Sequence, residues 1–124
     1  MPVKVLIVED VDAMRKLLEQ ALSGISGIAV SGSAANGWDA RLEISRRRPD
    51  VILLDEILPG ESGIDLLREF AGDGIPVLLI TSMGDPNHPV PPEAAGRLIK
   101  PSWDTLESDR NRLKEAIFQL TRKS

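Results

Sequence analysis

The chain has no cysteine and no tyrosine, and only two tryptophans, two phenylalanines and one histidine in 124 residues. Without cysteine, disulfides and thiolate metal sites are excluded. With so few aromatics, a core must be built from Leu, Ile, Val and Ala. Positive charge is not in excess either. The net charge is −4, whereas nucleic-acid binding needs a basic face. The one basic cluster, Arg46-Arg47-Arg48, precedes Pro49, where the last turn of a helix favours cations. No apolar run approaches the roughly 20 residues that span a membrane. The start, Met1-Pro2-Val3, carries no signal-peptide pattern. A soluble cytoplasmic protein is expected, with no nucleic-acid or membrane partner. The length suits one domain with a real core.

What is present is an alternation of apolar runs and helical patterns. Residues 3–8 read as a buried strand. Asp12 is placed to cap a helix in which Met14, Leu17, Leu18, Ala21 and Leu22 recur at helical spacing, and Gly24 and Gly27 stop it. Ile28 to Ser31 is a short second strand. Asn36 to Arg48 is a second helix, with Ala40 and Ile44 on one face and Leu42 off that stripe. Val51 to Leu54 is an uninterrupted apolar run suited to the middle of a parallel sheet. Ile64, Leu67 and Phe70 mark a third helix. Val77 to Ile80 and Arg97 to Ile99 are the last strands, and Asp104 to about Arg122 is the last helix, with Leu106, Leu113, Ile117 and Leu120 facing inward. This pattern predicts an α/β fold with a doubly wound, five-stranded parallel sheet.

One stretch breaks the alternation. Pro86, Pro89, Pro91 and Pro92 each remove a backbone donor and disfavour helix at the residue before. The segment predicts a loop, with room for one turn from Pro92 to Gly96.

The chemistry gathers at strand ends. Glu9 and Asp10 follow the first strand and Asp55 the third. Thr81 follows the fourth, and Lys100 follows the fifth. In open α/β sheets, ligands bind beyond the carboxyl ends of the strands. Three carboxylates do not stay close unless a cation joins them, and a hard, oxygen-preferring ion suits them. Acids, a hydroxyl and a lysine at one edge make a place to handle a phosphoryl group.

These residues carry a resemblance. Glu9-Asp10, the run Asp55-x-x-Leu58-Pro59-x-x-x-Gly63, Thr81-Ser82 and Lys100-Pro101 make the chain similar to the receiver domains of two-component response regulators, the single-domain chemotaxis regulator among them. The resemblance covers essentially the whole chain. It implies the strand order 2-1-3-4-5, with the fourth helix shortened or replaced by a loop. It also implies that Asp55 accepts a phosphoryl group from the phosphohistidine of a sensor histidine kinase or histidine phosphotransfer protein. Mg²⁺ is implied at Asp10 and Asp55, with Glu9 reaching it through water and the backbone carbonyl of Ile57 as a further ligand. Lys100 and Thr81 would hold the phosphoryl oxygens, with backbone N–H groups of Ile57 and Ser82 as further donors. A downstream protein partner is expected, a homodimer is left open, and no output domain is expected within residues 1–124. Such a protein is not an enzyme beyond its own phosphorylation and dephosphorylation.

Two other classes are weighed beside it. One is a receiver-fold interaction module that is not phosphorylated. The other is a phosphatase of the haloacid-dehalogenase type, which needs a second Asp where this chain has Ile57. Two departures from the family also stand out. The position three before Lys100 usually carries Tyr or Phe and here is Arg97, for which an exposed arginine at a sheet edge is the simple expectation. The proline-rich segment 83–96 replaces the usual fourth helix and is expected to be a mobile loop that orders on phosphorylation or partner binding. Ile57 and Met83 offer no group to orient water, which predicts a long-lived phosphorylated state. His88 reads as a loop residue. Trp38, near the start of the second helix, is expected to be partly exposed, with a packing role favoured over a partner contact, and Trp103 to anchor the last helix. Glu56 reads as an exposed loop acid.

Overall fold

The computed structural model describes residues 2–82 and 89–121. Its elements are β1 (Val3–Val8), α1 (Asp12–Ser23), β2 (Ile28–Ala34), α2 (Gly37–Arg46), β3 (Val51–Asp55), α3 (Gly63–Gly72), β4 (Val77–Thr81), β5 (Gly96–Ile99) and α4 (Leu106–Thr121). The five strands are parallel and ordered β2-β1-β3-β4-β5. The predicted fold class and strand order are therefore found.

Period-two alternation sorts the strands' side chains into two cores. Val5, Ile7, Leu53, Leu78 and Ile80 point to one face, where Leu18 and Leu22 of α1 and Leu113 and Ile117 of α4 cover them. Leu6, Val8, Ile52, Leu54 and Leu79 point to the other, against Ala40 of α2 and Leu66, Leu67 and Phe70 of α3. Residues of β3 are buried on both faces, as its unbroken apolar run requires.

Several boundaries differ from expectation, each for a physical reason. Asp12 does not cap α1: Val11 is the N-cap and makes no side-chain cap bond, while Asp12 is the first helical residue and pairs with Arg15. β2 runs on to Ala34 because Leu6, Ile7 and Val8 pair with Gly32, Ser33 and Ala34 after a register shift. Asn36 caps α2 by accepting the Asp39 N–H at 2.8 Å, and Arg46 lies in its last turn. Ser62 caps α3 in the same way. Trp38 does not pack: it is 70% exposed. Trp103, at 64%, anchors nothing in α4.

Between β4 and β5 the described residues 89–95 form a turn, with the Ala94 N–H on the Pro91 carbonyl at 3.0 Å, and no helix. Pro86, His88 and Met83 lie outside the described residues, as do residues 83–88 of the segment expected to order on phosphorylation. Among the described residues, no helix is long and apolar enough to cross a membrane.

Candidate phosphoryl site at the strand ends

Strand register brings the acids together. Val8 pairs with Leu54, so one step further Glu9 lies beside Asp55. Thr81 pairs with Ile99, and the Lys100 N–H donates to the Thr81 carbonyl at 2.7 Å. Side-chain alternation does the rest. Glu9 continues the Val5–Ile7 parity, Asp55 the Val51–Leu53 parity, and Lys100 the parity of Leu98, so all three lean to the α1/α4 side.

The geometry is compact. Oxygens of Glu9, Asp10 and Asp55 all lie within 4.8 Å of one another. Asp55 is 4% exposed and Glu9 is wholly buried. Lys100 Nζ donates to Asp55 Oδ2 at 3.1 Å, and the Ile57 N–H donates to Asp55 Oδ1 at 3.1 Å. Lys100 Nζ also stands 2.7 Å from Glu9 Oε1. Apart from that ion pair, no hydrogen-bond partner among the described residues reaches the buried Glu9 Oε1. The other Glu9 oxygen accepts the Val11 N–H at 3.0 Å. Asp10, Val11, Asp55, Glu56, Ile57, Thr81, Ser82 and Lys100 line an open cavity of about 240 Å³. Every site residue named from the sequence except Glu9 therefore lines one cavity, and Glu9 lies beneath it.

Electrostatics follow from this burial. Loss of water pushes the Glu9 carboxyl above its ordinary value, and the Asp55 charge adds to the rise, while Lys100 and the Val11 N–H oppose it. Burial alone would lower Lys100, but hydrogen bonding and attraction from Glu9 and Asp55 outweigh it and raise its pKa. Glu9 and Asp55 thus share one ammonium, with Asp10 close beside them. The donor set fits Mg²⁺: hard oxygens only, few protein ligands, and a buried carboxylate oxygen whose one close partner is the Lys100 ammonium.

The model for the response regulator receiver domain matches residues 5–104. The chain belongs to this family. Protein-glutamate methylesterase/protein-glutamine glutaminase 5 of Myxococcus xanthus is 37% identical over 86 residues, which cover 68% of this chain and 25% of that protein. The similarly named protein 2 of Xanthomonas oryzae pv. oryzae is 42% identical over 83 residues, 66% of this chain and 23% of its own length. The chain spans about a quarter of the length of these curated relatives. Among solved structures, the response regulator domain of Thermotoga maritima CheB is 25% identical, with a TM-score of 0.85 over 100% of this chain and 99% of that one. A chain of the CheX–CheY–BeF3–Mg complex from Borrelia burgdorferi shares the fold at 24% identity, with a TM-score of 0.78 over 99% and 92% of the two chains.

Two expectations are corrected around this receiver domain's site. Arg97 is not an exposed edge arginine, and Glu56 is not a loose loop acid. Their side chains form an ion pair and are only 13% and 21% exposed. Both parities explain this. Glu56 continues Leu54, and Arg97 is paired with Leu79, so both lean to the α3 side. Sequence reading missed the pair because it appears only once β3, β4 and β5 are in register.

Two further supports were also missed. Asp109 of α4 is buried and accepts the Ser102 N–H at 3.0 Å and the Thr105 hydroxyl, pinning the loop after Lys100. Glu61 accepts the Gly37 N–H at 2.8 Å, tying the loop after Asp55 to the start of α2. The spacing Ser102-x-x-Thr105-x-x-x-Asp109 is a signal that could have found the first; none points to the second.

Proposed function

We propose that this receiver domain is a phosphoryl-accepting signalling switch. One observation carries the reading: Asp55, almost fully buried, opens onto a cavity with a lysine on one oxygen, a backbone N–H on the other, and two further acids within 4.8 Å. Phosphoryl transfer asks a protein for positioning and charge stabilisation more than for covalent help. An Asp55 oxygen attacks phosphorus, the P–N bond of a phosphohistidine breaks, and the departing imidazole takes a proton from solvent. Lys100 pairs with Asp55 beforehand and then meets the charge of about −1.5 to −2 that a phosphoryl group brings. Thr81 and Ser82 line the cavity and are assigned to the phosphoryl oxygens. Glu9, Asp10, Asp55 and the Ile57 carbonyl are assigned to Mg²⁺, which supplies positive charge to those oxygens when bound.

The donor class is a sensor histidine kinase or histidine phosphotransfer protein. The receiver family match supports it, and CheY6 of R. sphaeroides, which shares this fold, is solved in complex with the P1 domain of CheA3. The chain turns over no external substrate, and its output is altered binding of a protein partner. The exposed, apolar Ile57 at the cavity rim has nothing to orient a water, so the phosphorylated state is long-lived.

Acetyl phosphate and Mg²⁺ with the whole chain test this. A single phosphoryl mass shift in the wild type, absent in Asp55→Ala, is the expected result. No shift in the wild type leaves the unphosphorylated interaction module as the reading.

A further inference from the structure

Asp55 and Glu56 are neighbours in the chain and point to opposite sides of the sheet. Asp55 faces Lys100; Glu56 faces Arg97. The Arg97 guanidinium donates from Nε to Glu56 Oε1 and from Nη2 to Glu56 Oε2 at 3.4 Å, and also donates to the Pro89 carbonyl at 3.2 Å. The pair forms one wall of a cavity of about 260 Å³ floored by Leu67 and Leu79.

Glu56 is fixed elsewhere too. Its N–H donates to the Ile80 carbonyl at 3.1 Å. Its carbonyl lies against the start of α3, where a Cβ on Gly63 would sit 2.4 Å from the Glu56 oxygen. The next N–H, that of Ile57, is the one bonded to Asp55 Oδ1. The Glu56–Ile57 peptide is thus both the back of the acceptor loop and a direct partner of Asp55.

We infer that Arg97 is a positioning residue for the phosphoryl site, acting through Glu56 on the Glu56–Ile57 peptide and tying that peptide to the chain entering β5 at Pro89. Two physical terms act together. A bidentate arginine fixes both the position and the plane of a carboxylate, which a point charge does not. Arg97 also offsets a fourth acid beside three others, a like-charge cost that would otherwise displace the loop. The part of this inference that concerns the reaction rests on the function proposed above. The part that concerns the peptide does not.

The test uses the whole chain in four forms: wild type, Glu56→Gln, Arg97→Gln, and the reversed pair Glu56→Arg with Arg97→Glu. Amide exchange is followed over residues 55–58 and 89–97, and the phosphorylation rate from acetyl phosphate at saturating Mg²⁺ is measured beside it. Each single change is expected to speed exchange in both segments about tenfold and to slow phosphorylation by a similar factor, at the scale of coupled contacting residues. The reversed pair is expected to recover most of both effects, which a merely bulky or merely apolar role for Arg97 would not produce. Exchange unchanged in the isosteric Glu56→Gln overturns the inference, as does a reversed pair no better than the product of the single changes. A wild type that takes no phosphoryl group defeats the proposed function alone, since exchange still decides the positioning role.

Discussion

β3 and β5 flank β4, and they differ in almost every respect. β3 is buried along its whole length and ends in Asp55, the proposed acceptor. β5 has four residues, none fully buried, and contributes Arg97 and, one residue past its end, Lys100. The proposed acceptor is therefore built on a fully buried strand, while Lys100, the cation that meets it, and Arg97, which pairs with Glu56 on the other face, both come from the edge. Stability is not uniform across a fold, and elements that move are drawn from its weaker parts. The contrast teaches where a signal would leave this domain. A change of charge at Asp55 meets an unyielding strand behind it and a lightly held one across β4.

The sharpest way to break this comparison is chemical. Asp55→Ala should abolish phosphoryl uptake in the mass measurement, whereas Lys100→Ala should slow uptake without changing the residue modified. Uptake that survives Asp55→Ala would place the chemistry elsewhere.

The packing half of the comparison is tested by urea melts. Leu53→Ala in β3 should cost about 3 kcal/mol, within the usual range for a buried leucine. Leu98→Ala in β5 should cost about 1 kcal/mol, since that side chain is only partly covered. Equal losses would erase the distinction between the strands.

Mg²⁺ sharpens it from the acidic side. Bound at a hundred times its dissociation constant, the ion should stabilise the fold by about 2.7 kcal/mol, seen as a higher thermal midpoint. Asp10→Asn should remove most of that gain. An equal Mg²⁺ response in Asp10→Asn would mean that the acid cluster does not hold the ion.

The smallest expected effect lies away from both strands. Arg41 of α2 grips Glu69 of α3 through two hydrogen bonds, at 2.7 and 2.8 Å. Hydrogen bonding to Arg41 holds the Glu69 carboxyl below its ordinary 4.5. Its contribution is therefore present above pH 4.5 and lost as pH falls through the lowered value. Because both side chains are more than a third exposed, Glu69→Gln should cost only about 0.3 kcal/mol at neutral pH. The difference from wild type should vanish in acid, and a difference that grew on acidification would reverse the sign.

The sequence made the site legible because each of its residues closes or follows an apolar run, and strand ends converge in any parallel sheet. Asp55 and Lys100 needed no register to be suspected. The end of β2 was not legible, because Gly32, Ser33 and Ala34 carry no apolar signal and are strand only through β1. Trp38 and Trp103 misled for the opposite reason: large apolar side chains suggest burial, yet nothing in the fold folds over them. The Arg97–Glu56 pair lay between these cases. Each residue was noticed alone, but their union depends on which side of the sheet each faces, and alternation fixes that only after the strands are aligned.

The two bonds on Asp55 have one further consequence. With Oδ1 on a backbone amide and Oδ2 on an ammonium, the carboxylate cannot spin about its own axis without losing both partners. Its two oxygens are no longer equivalent, so the acceptor is handed before any donor arrives. If Asp55 takes a phosphoryl group as proposed, the rotational disorder that a free aspartate would have to shed was already surrendered when the chain folded.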